Sequence, residues 1–226
     1  MQSTKIVILH PDYSGAAGRT TEDPMLFSYE RGTAAVRILG IAALIGFFVL
    51  AVGAVAALAF SVQVNGTSMH PTLVHGDRLQ AQFWNRSSIE RFDLVETRTP
   101  DEVAIVKRVI GLPGDMLTVE STGLVPVVTV RPEGKTAVYR VENPRWDDQP
   151  GGGACCTVDG TEGGTSEFVV PEGEYWLVGD NWGASEDSRV YGFFAADAIK
   201  AKLNFRILPL DRFGTVPNPA SLVAIP

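Results

Sequence analysis

Residues 38–62 read ILGIAALIGFFVLAVGAVAALAFSV, 25 residues without one charged side chain. As a helix this run rises about 37 Å, enough to cross a hydrocarbon core of roughly 30 Å with some tilt. A buried helix of a soluble protein would carry polar punctuation on one face, and this one does not. The run therefore predicts a transmembrane helix over 38–62, with a tail over 1–37 before it and one globular domain over 63–226 after it. Arg31 and Arg37 stand just before the run, and no Lys or Arg follows it until Arg78. That asymmetry places the N-terminus in the cytoplasm and the domain on the other side of a single-pass protein. Ala57-Leu58-Ala59 has the form of a secretory cleavage site. The apolar run is nevertheless longer than the roughly 7–15 residues of a cleaved signal, and the segment before it is long, so an uncleaved anchor is the better reading.

The rest of the composition narrows the function. The chain has 226 residues, 19 basic and 26 acidic, a net charge of −7. An acidic balance disfavours nucleic acid as a partner. The adjacent Cys155 and Cys156 cannot build a disulfide framework or a four-ligand zinc site. They form either a strained vicinal disulfide or two free thiols. His10, His70 and His75 are scattered and no H-E-x-x-H occurs, so neither a metal nor another cofactor is expected.

Beyond residue 62 the pattern is that of strands. Val103–Ile110 (VAIVKRVI) is β-branched and closed by the turn sequence Gly111-Leu112-Pro113-Gly114-Asp115. Further strands are expected at Leu117–Glu120, Val125–Val130, Ala137–Val141 and Tyr175–Val178. Ala201, Leu203, Phe205 and Ile207 alternate with Lys200, Lys202, Asn204 and Arg206, which predicts a half-buried strand. The Gly-rich stretch from Arg145 to Glu167 reads as a long loop within a subsidiary β region spanning about 116–170. The fold class is thus mainly β: one N-terminal transmembrane helix, then an antiparallel β domain with a smaller inserted β region.

Three clusters could carry chemistry. Ser68 lies in Val64-Asn65-Gly66-Thr67-Ser68-Met69-His70-Pro71-Thr72-Leu73, where Gly66 permits an unusual backbone angle and Pro71 restricts one. Such a turn can expose a hydroxyl and leave backbone N–H groups free for an oxyanion. Its base would be His70, His75 or Lys107. On a strand, Lys107 shares a face with Val103, Ile105 and Val109, while Arg108 points the other way with Val106 and Ile110. If the first face is buried, desolvation lowers the lysine pKa into the range of a general base. At a sheet edge the same lysine would reach water instead. The third cluster, Gly179-Asp180-Asn181-Trp182-Gly183-Ala184-Ser185-Glu186-Asp187-Ser188-Arg189, is dense in donors and acceptors.

Anchor, GTSMHPTL, KRVIGLPGD and GDNWGASEDSR, in that order, resemble the bacterial type I signal peptidases, membrane-bound Ser-Lys serine proteases. Gly76-Asp77 falls where that family has a short Gly-Asp box. The resemblance implies an antiparallel β domain of the signal peptidase type and a serine endopeptidase that removes signal peptides from exported preproteins. It implies Ser68 as nucleophile, Lys107 as general base, Ser185 orienting the lysine, and Asp187 and Arg189 as a supporting ion pair. The Ser68 backbone N–H would be one oxyanion donor. Some members place a second, hydroxyl donor where this chain has Gly66, and Trp182-Gly183-Ala184 replaces an Arg-Asp-Asn common in the family. Small residues would be preferred one and three positions before the cut, with Val64, Ile105 and Val106 as pocket walls. The implied partners are preproteins and the lipid bilayer of the cell membrane, with no nucleic acid and no metal. Phe83-Trp84 and Phe193-Phe194 would either dip into the membrane interface or belong to the core. Cytoplasmic self-cleaving repressors are disfavoured by the apolar helix, His-dependent signal peptidases by Lys107, and penicillin-binding enzymes by the lack of S-x-x-K. The remaining alternative is a membrane-anchored β domain that binds a ligand without catalysis.

Overall fold

A computed structural model describes residues 24–83, 88–120, 127–147 and 165–225, with the backbone alone for 24–34. The chain divides into two compact units, Met1–Gly53 and Ala54–Pro226. Helix α1 spans Pro24–Ala59, and its Ala35–Ala59 portion is long and apolar enough to cross a membrane. The helix stops short of Val62. Ser61–Gln63 instead forms strand β1, because Val62 packs against a core cluster of the β unit.

Among its described residues that unit contains three antiparallel sheets. The first has the order β1, β2 (Arg78–Gln80), β12 (Phe205–Leu208), β13 (Gly214–Thr215). The second runs β10 (Phe194–Ala195), β9 (Glu174–Val178), β4 (Ala104–Gly111), β3 (Leu94–Arg98), β11 (Ala201–Lys202). The third runs β14 (Ser221–Ala224), β7 (Tyr139–Glu142), β6 (Val127–Arg131), β5 (Met116–Glu120), β8 (Thr165–Val169).

The third sheet shows one-sided burial. Leu117 and Val119 on β5 and Val128 and Val130 on β6 alternate with half-buried neighbours and face a core shared with Ile110, Val141 and Trp176. Alternation of this kind marks a sheet with one wet face. Its strands β5 to β8 come from within 116–169, but β14 joins them from the C-terminal end through pairing with β7. The stretch Arg145–Glu167, expected as loop, begins in the short helix α2 (Pro144–Asp147) and ends in β8. Cys155 and Cys156 lie outside the described residues.

Strand β4 is the central member of the second sheet and is buried on both faces from Val106 onward. The turn Gly111–Asp115 then carries the chain into the third sheet. There Asp115 accepts the Leu112 N–H at 2.6 Å and pairs with Arg91 at 2.8 Å. The alternating run 200–207 is not one strand. Ala201–Lys202 pairs with β3, Phe205–Leu208 pairs with β2, and the chain changes sheets between them. Arg206, expected on the wet face, is buried instead and meets Asp77 at 3.0 Å. Phe194 is a core residue and Phe193 packs edge-on against Phe168, centroids 5.6 Å apart. Phe83 is exposed, and Trp84 lies outside the described residues.

Candidate active site

Three segments meet at Ser68. The first is its own loop, between β1 and β2. Val64 N–H donates to the Asp77 carbonyl at 2.8 Å and Gly76 N–H to the Val64 carbonyl at 2.9 Å, which closes the loop at its base. Asp77 is buried and holds Arg206 at 3.0 Å and Arg212 at 2.7 Å, tying that base to the C-terminal strands. Met69 and Leu73 are sunk in the core, so Ser68 between them and the exposed Gly66 is left at the surface of the fold. Gly66 has φ +99°, a backbone state that disfavours other residues.

The second segment is β4. Lys107 is 2% exposed, and its Nζ donates to Ser68 Oγ at 2.7 Å across 39 residues of sequence. The alternative in which Lys107 reaches water fails because its side chain is buried and bonded to Ser68, although β9 does not pair with β4 at this position. Burial lowers the lysine pKa from 10.5 to about 8. The Asp187 carboxylate opposes that shift, Arg189 adds to it and Glu186 opposes it. Arg108, on the other face, is 1% exposed and donates from Nε and Nη2 to the two Asp180 oxygens at 2.8 and 2.7 Å. Both faces of this strand therefore bury a basic side chain, and among the described residues only Arg108 of the two has a carboxylate in contact.

The third segment follows β9. Asn181 N–H donates to the Ser68 carbonyl at 2.9 Å, and Asn181 Nδ2 donates to the Thr67 carbonyl at 3.1 Å. Asp180, held by Arg108 and by Asn143 Nδ2 at 3.0 Å, anchors the residue next to it. Gly179 makes the approach possible. A Cβ there would fall on the Ser68 carbonyl oxygen and the Ser185 hydroxyl, with Ser185 Cβ at 2.6 Å. Asp187 gathers the loop by accepting from Gly179 N–H at 2.9 Å, Ser185 Oγ at 2.6 Å and Arg189 Nε at 2.7 Å. Arg189 also donates to the Trp182 and Ser185 carbonyls, at 2.8 and 3.1 Å, and stacks over the Trp182 ring.

Sequence-predicted residues thus converge from far apart, with two qualifications. Ser185 and Lys107 line one groove, but the Ser185 hydroxyl proton goes to Asp187, and Lys107 has its hydrogen bond to Ser68. Neither histidine bonds Ser68. His70 is exposed, and His75 Nδ1 accepts the Gly66 N–H at 3.3 Å. The Ser68 N–H donates to no acceptor among the described residues. Val64, Ile105 and Val106 line a single cavity of about 340 Å³ that also touches Ser68 and Met69. Strand β9 pairs with β4 only from Arg108 onward, so among the described residues Ala104–Lys107 has one strand-free edge beside that cavity. Among the described residues no group of three or more His, Cys, Asp or Glu side chains could hold a metal ion. Sequence reading missed the roles of Gly179 and Asn181. Their motif was visible, but nothing in it says which backbone they approach.

A nucleophile candidate at 2.7 Å from a buried amine is an arrangement suited to acyl transfer without a metal. A family model described as signal peptidase, peptidase S26, matches residues 36–208. A signal peptidase I of Streptococcus pneumoniae (strain TIGR4) is 34% identical over 175 residues, which cover 69% of this chain and 85% of that protein. A signal peptidase IB of Staphylococcus aureus (strain Mu50) is 29% identical over 158 residues, 69% of this chain and 81% of that one. A crystal structure of a signal peptidase I from Enterococcus faecalis superposes with a TM-score of 0.37 at 23% identity, over 51% of this chain and 97% of that chain. That fit is too loose to add to the sequence likeness.

Proposed function

The chain belongs to the signal peptidase family, peptidase S26, and from that premise we propose that Ser68 and Lys107 are its nucleophile and general base. Family membership makes it a membrane-anchored serine peptidase that cleaves signal peptides, and it sets aside a purely ligand-binding domain. The observation that supports the two roles is the 2.7 Å contact between Ser68 Oγ and a buried Lys107 whose pKa is lowered to about 8.

In this reading a neutral Lys107 amine takes the Ser68 proton as Oγ bonds to the scissile carbonyl carbon. The Ser68 N–H stabilises the oxyanion. The C–N bond breaks, the lysine proton goes to the leaving amine, and an acyl-serine remains. Water, deprotonated by the same amine, then hydrolyses that ester. Asp187 and Arg189 hold the loop that presents Ser185 and Asn181, and Ser185 orients the amine through an oxygen lone pair. The substrate lies extended along the strand-free edge of Ala104–Lys107, bonding by its backbone. The cavity bounded by Val64, Ile105 and Val106 receives small side chains one and three positions before the cut. The N-terminus is cytoplasmic, α1 crosses the cell membrane, and the β unit works on its outer side on preproteins still held in the bilayer.

Cleavage of a preprotein with an Ala-x-Ala signal, by the full chain in micelles or liposomes, tests the reading. Wild type should cut after the second Ala, and Ser68→Ala and Lys107→Ala should be inactive while still folded. Unimpaired cutting by folded Lys107→Ala would reject the lysine base.

A further inference from the structure

The cavity beside Ser68 is not uniformly apolar. Glu96 on β3 lines it together with Ser61, Val62, Ala104 and Val106. Strand register puts the Glu96 side chain on the same face as Val106 and Ala201, its direct cross-strand neighbours, both buried. Ala104, diagonal to Glu96 on that face, carries only a methyl group, so the space between the carboxyl and the groove is open. Among the described residues the Glu96 carboxyl has no hydrogen-bond or ion-pair partner. The nearby cations are committed elsewhere: Arg98 faces Glu102 at 3.8 Å, and Lys200 Nζ donates to the Asp197 carbonyl at 2.8 Å. Burial raises the Glu96 pKa, against the opposing pull of Arg98 and Lys200. An acid placed among apolar neighbours without a donor is poorly solvated, and a ligand that brings a donor relieves it.

An extended chain repeats a face every second residue, about 7 Å apart. A side chain next to Ser68 would meet Met69, Val64 and Val106. The one two residues upstream would reach the end formed by Val62, Ala104 and Glu96. We propose that Glu96 makes this enzyme select, three positions before the cut, a short side chain that donates a hydrogen bond. Threonine is then favoured over valine, which has nearly the same shape and no donor. This rests on the cleavage reading above. Glu96 is half-buried, and a site that offers a polar group short of partners rejects an isostere unable to satisfy it more strongly than an apolar pocket rejects an added hydroxyl.

The test is a competition between two preproteins identical except for Thr or Val at that position, cut by the full chain in micelles. The ratio of kcat/KM values is internal to each enzyme sample, so it does not depend on how much of a variant is folded. Wild type should favour Thr about tenfold, the worth of one hydrogen bond to an ionised group. Glu96→Val should lose that preference or reverse it. Glu96→Gln, which keeps an acceptor without the charge, should retain part of it and reads the ratio if the valine variant is inactive. A wild-type ratio near one, or a ratio unchanged in both variants, overturns the proposal while leaving the cleavage reading intact. Failure of wild type to cut either preprotein or an Ala-x-Ala control overturns the cleavage reading and the proposal together.

Discussion

Replacing Lys107 by methionine should destroy activity and yet stabilise the fold. The lysine sits 2% exposed beside a hydroxyl, and its pKa falls from 10.5 to about 8. At about 1.4 kcal/mol per tenfold, that fall means burying the charged form costs about 3 kcal/mol. Below pH 8 the lysine is protonated in both the folded and unfolded chain, so the whole penalty is present. Between about pH 8 and 10.5 the folded protein has released a proton that the unfolded chain still binds. Wild-type stability therefore rises with pH through this window, and the penalty has gone above it. Methionine matches the length of the lysine stem and carries no charge. Losing the hydrogen bond to Ser68 offsets about 1 kcal/mol. The net gain is about 2 kcal/mol near pH 6, or about 4–8 °C in Tm for a chain of this size. Melting curves of the full chain in micelles, followed by circular dichroism from pH 6 to 10, would read it. The variant should melt above wild type at pH 6, and the gap should shrink as pH passes 8. A variant that melts at or below wild type at pH 6, or a gap that is flat with pH, would refute the buried-cation account.

Other consequences can be checked with the same material. Gly179→Ala should lower cleavage at least 100-fold, since its methyl group would displace the Ser68 carbonyl or the Ser185 hydroxyl; normal kinetics would show that this close approach is dispensable. Glu186→Gln removes a carboxylate that raises the Lys107 pKa, so the alkaline rise of kcat/KM should move toward lower pH. A shift the other way would mean that the rise belongs to another group. Asp180→Ala leaves the Arg108 guanidinium buried without its carboxylate and should destabilise the chain by about 3–5 kcal/mol in denaturant titrations. A loss under about 1 kcal/mol would indicate that Asn218 and the Phe92 carbonyl, which also accept from Arg108, suffice.

Local signals were read correctly where one face of a segment meets water. On β5 and β6 the apolar residues alternate with polar ones, and the alternation reports the core face directly. On β4 that signal vanishes, because both faces are buried and Lys107 and Arg108 each enter the interior. Sequence could offer Lys107 as a buried amine only on condition that its face was covered. The run 200–207 alternates cleanly and still divides between two sheets, because alternation says nothing about which partner a strand takes.

From the sequence alone came the apolar helix and the β character of the rest, which depend on composition and period that a chain carries before it folds. The resemblance of their motifs to the family singles out Ser68, Lys107, Ser185, Asp187 and Arg189 together. The structure decided that Ser68 and Lys107, 39 residues apart, come within 2.7 Å, and that Ser185 gives its proton to Asp187. It also decided that Asn181 holds the Ser68 loop, that Arg206 is buried against Asp77, and that Glu96 opens into the cavity. All of these depend on strand register and on which sheets stack. Both are set by long-range pairing that no local window of residues contains.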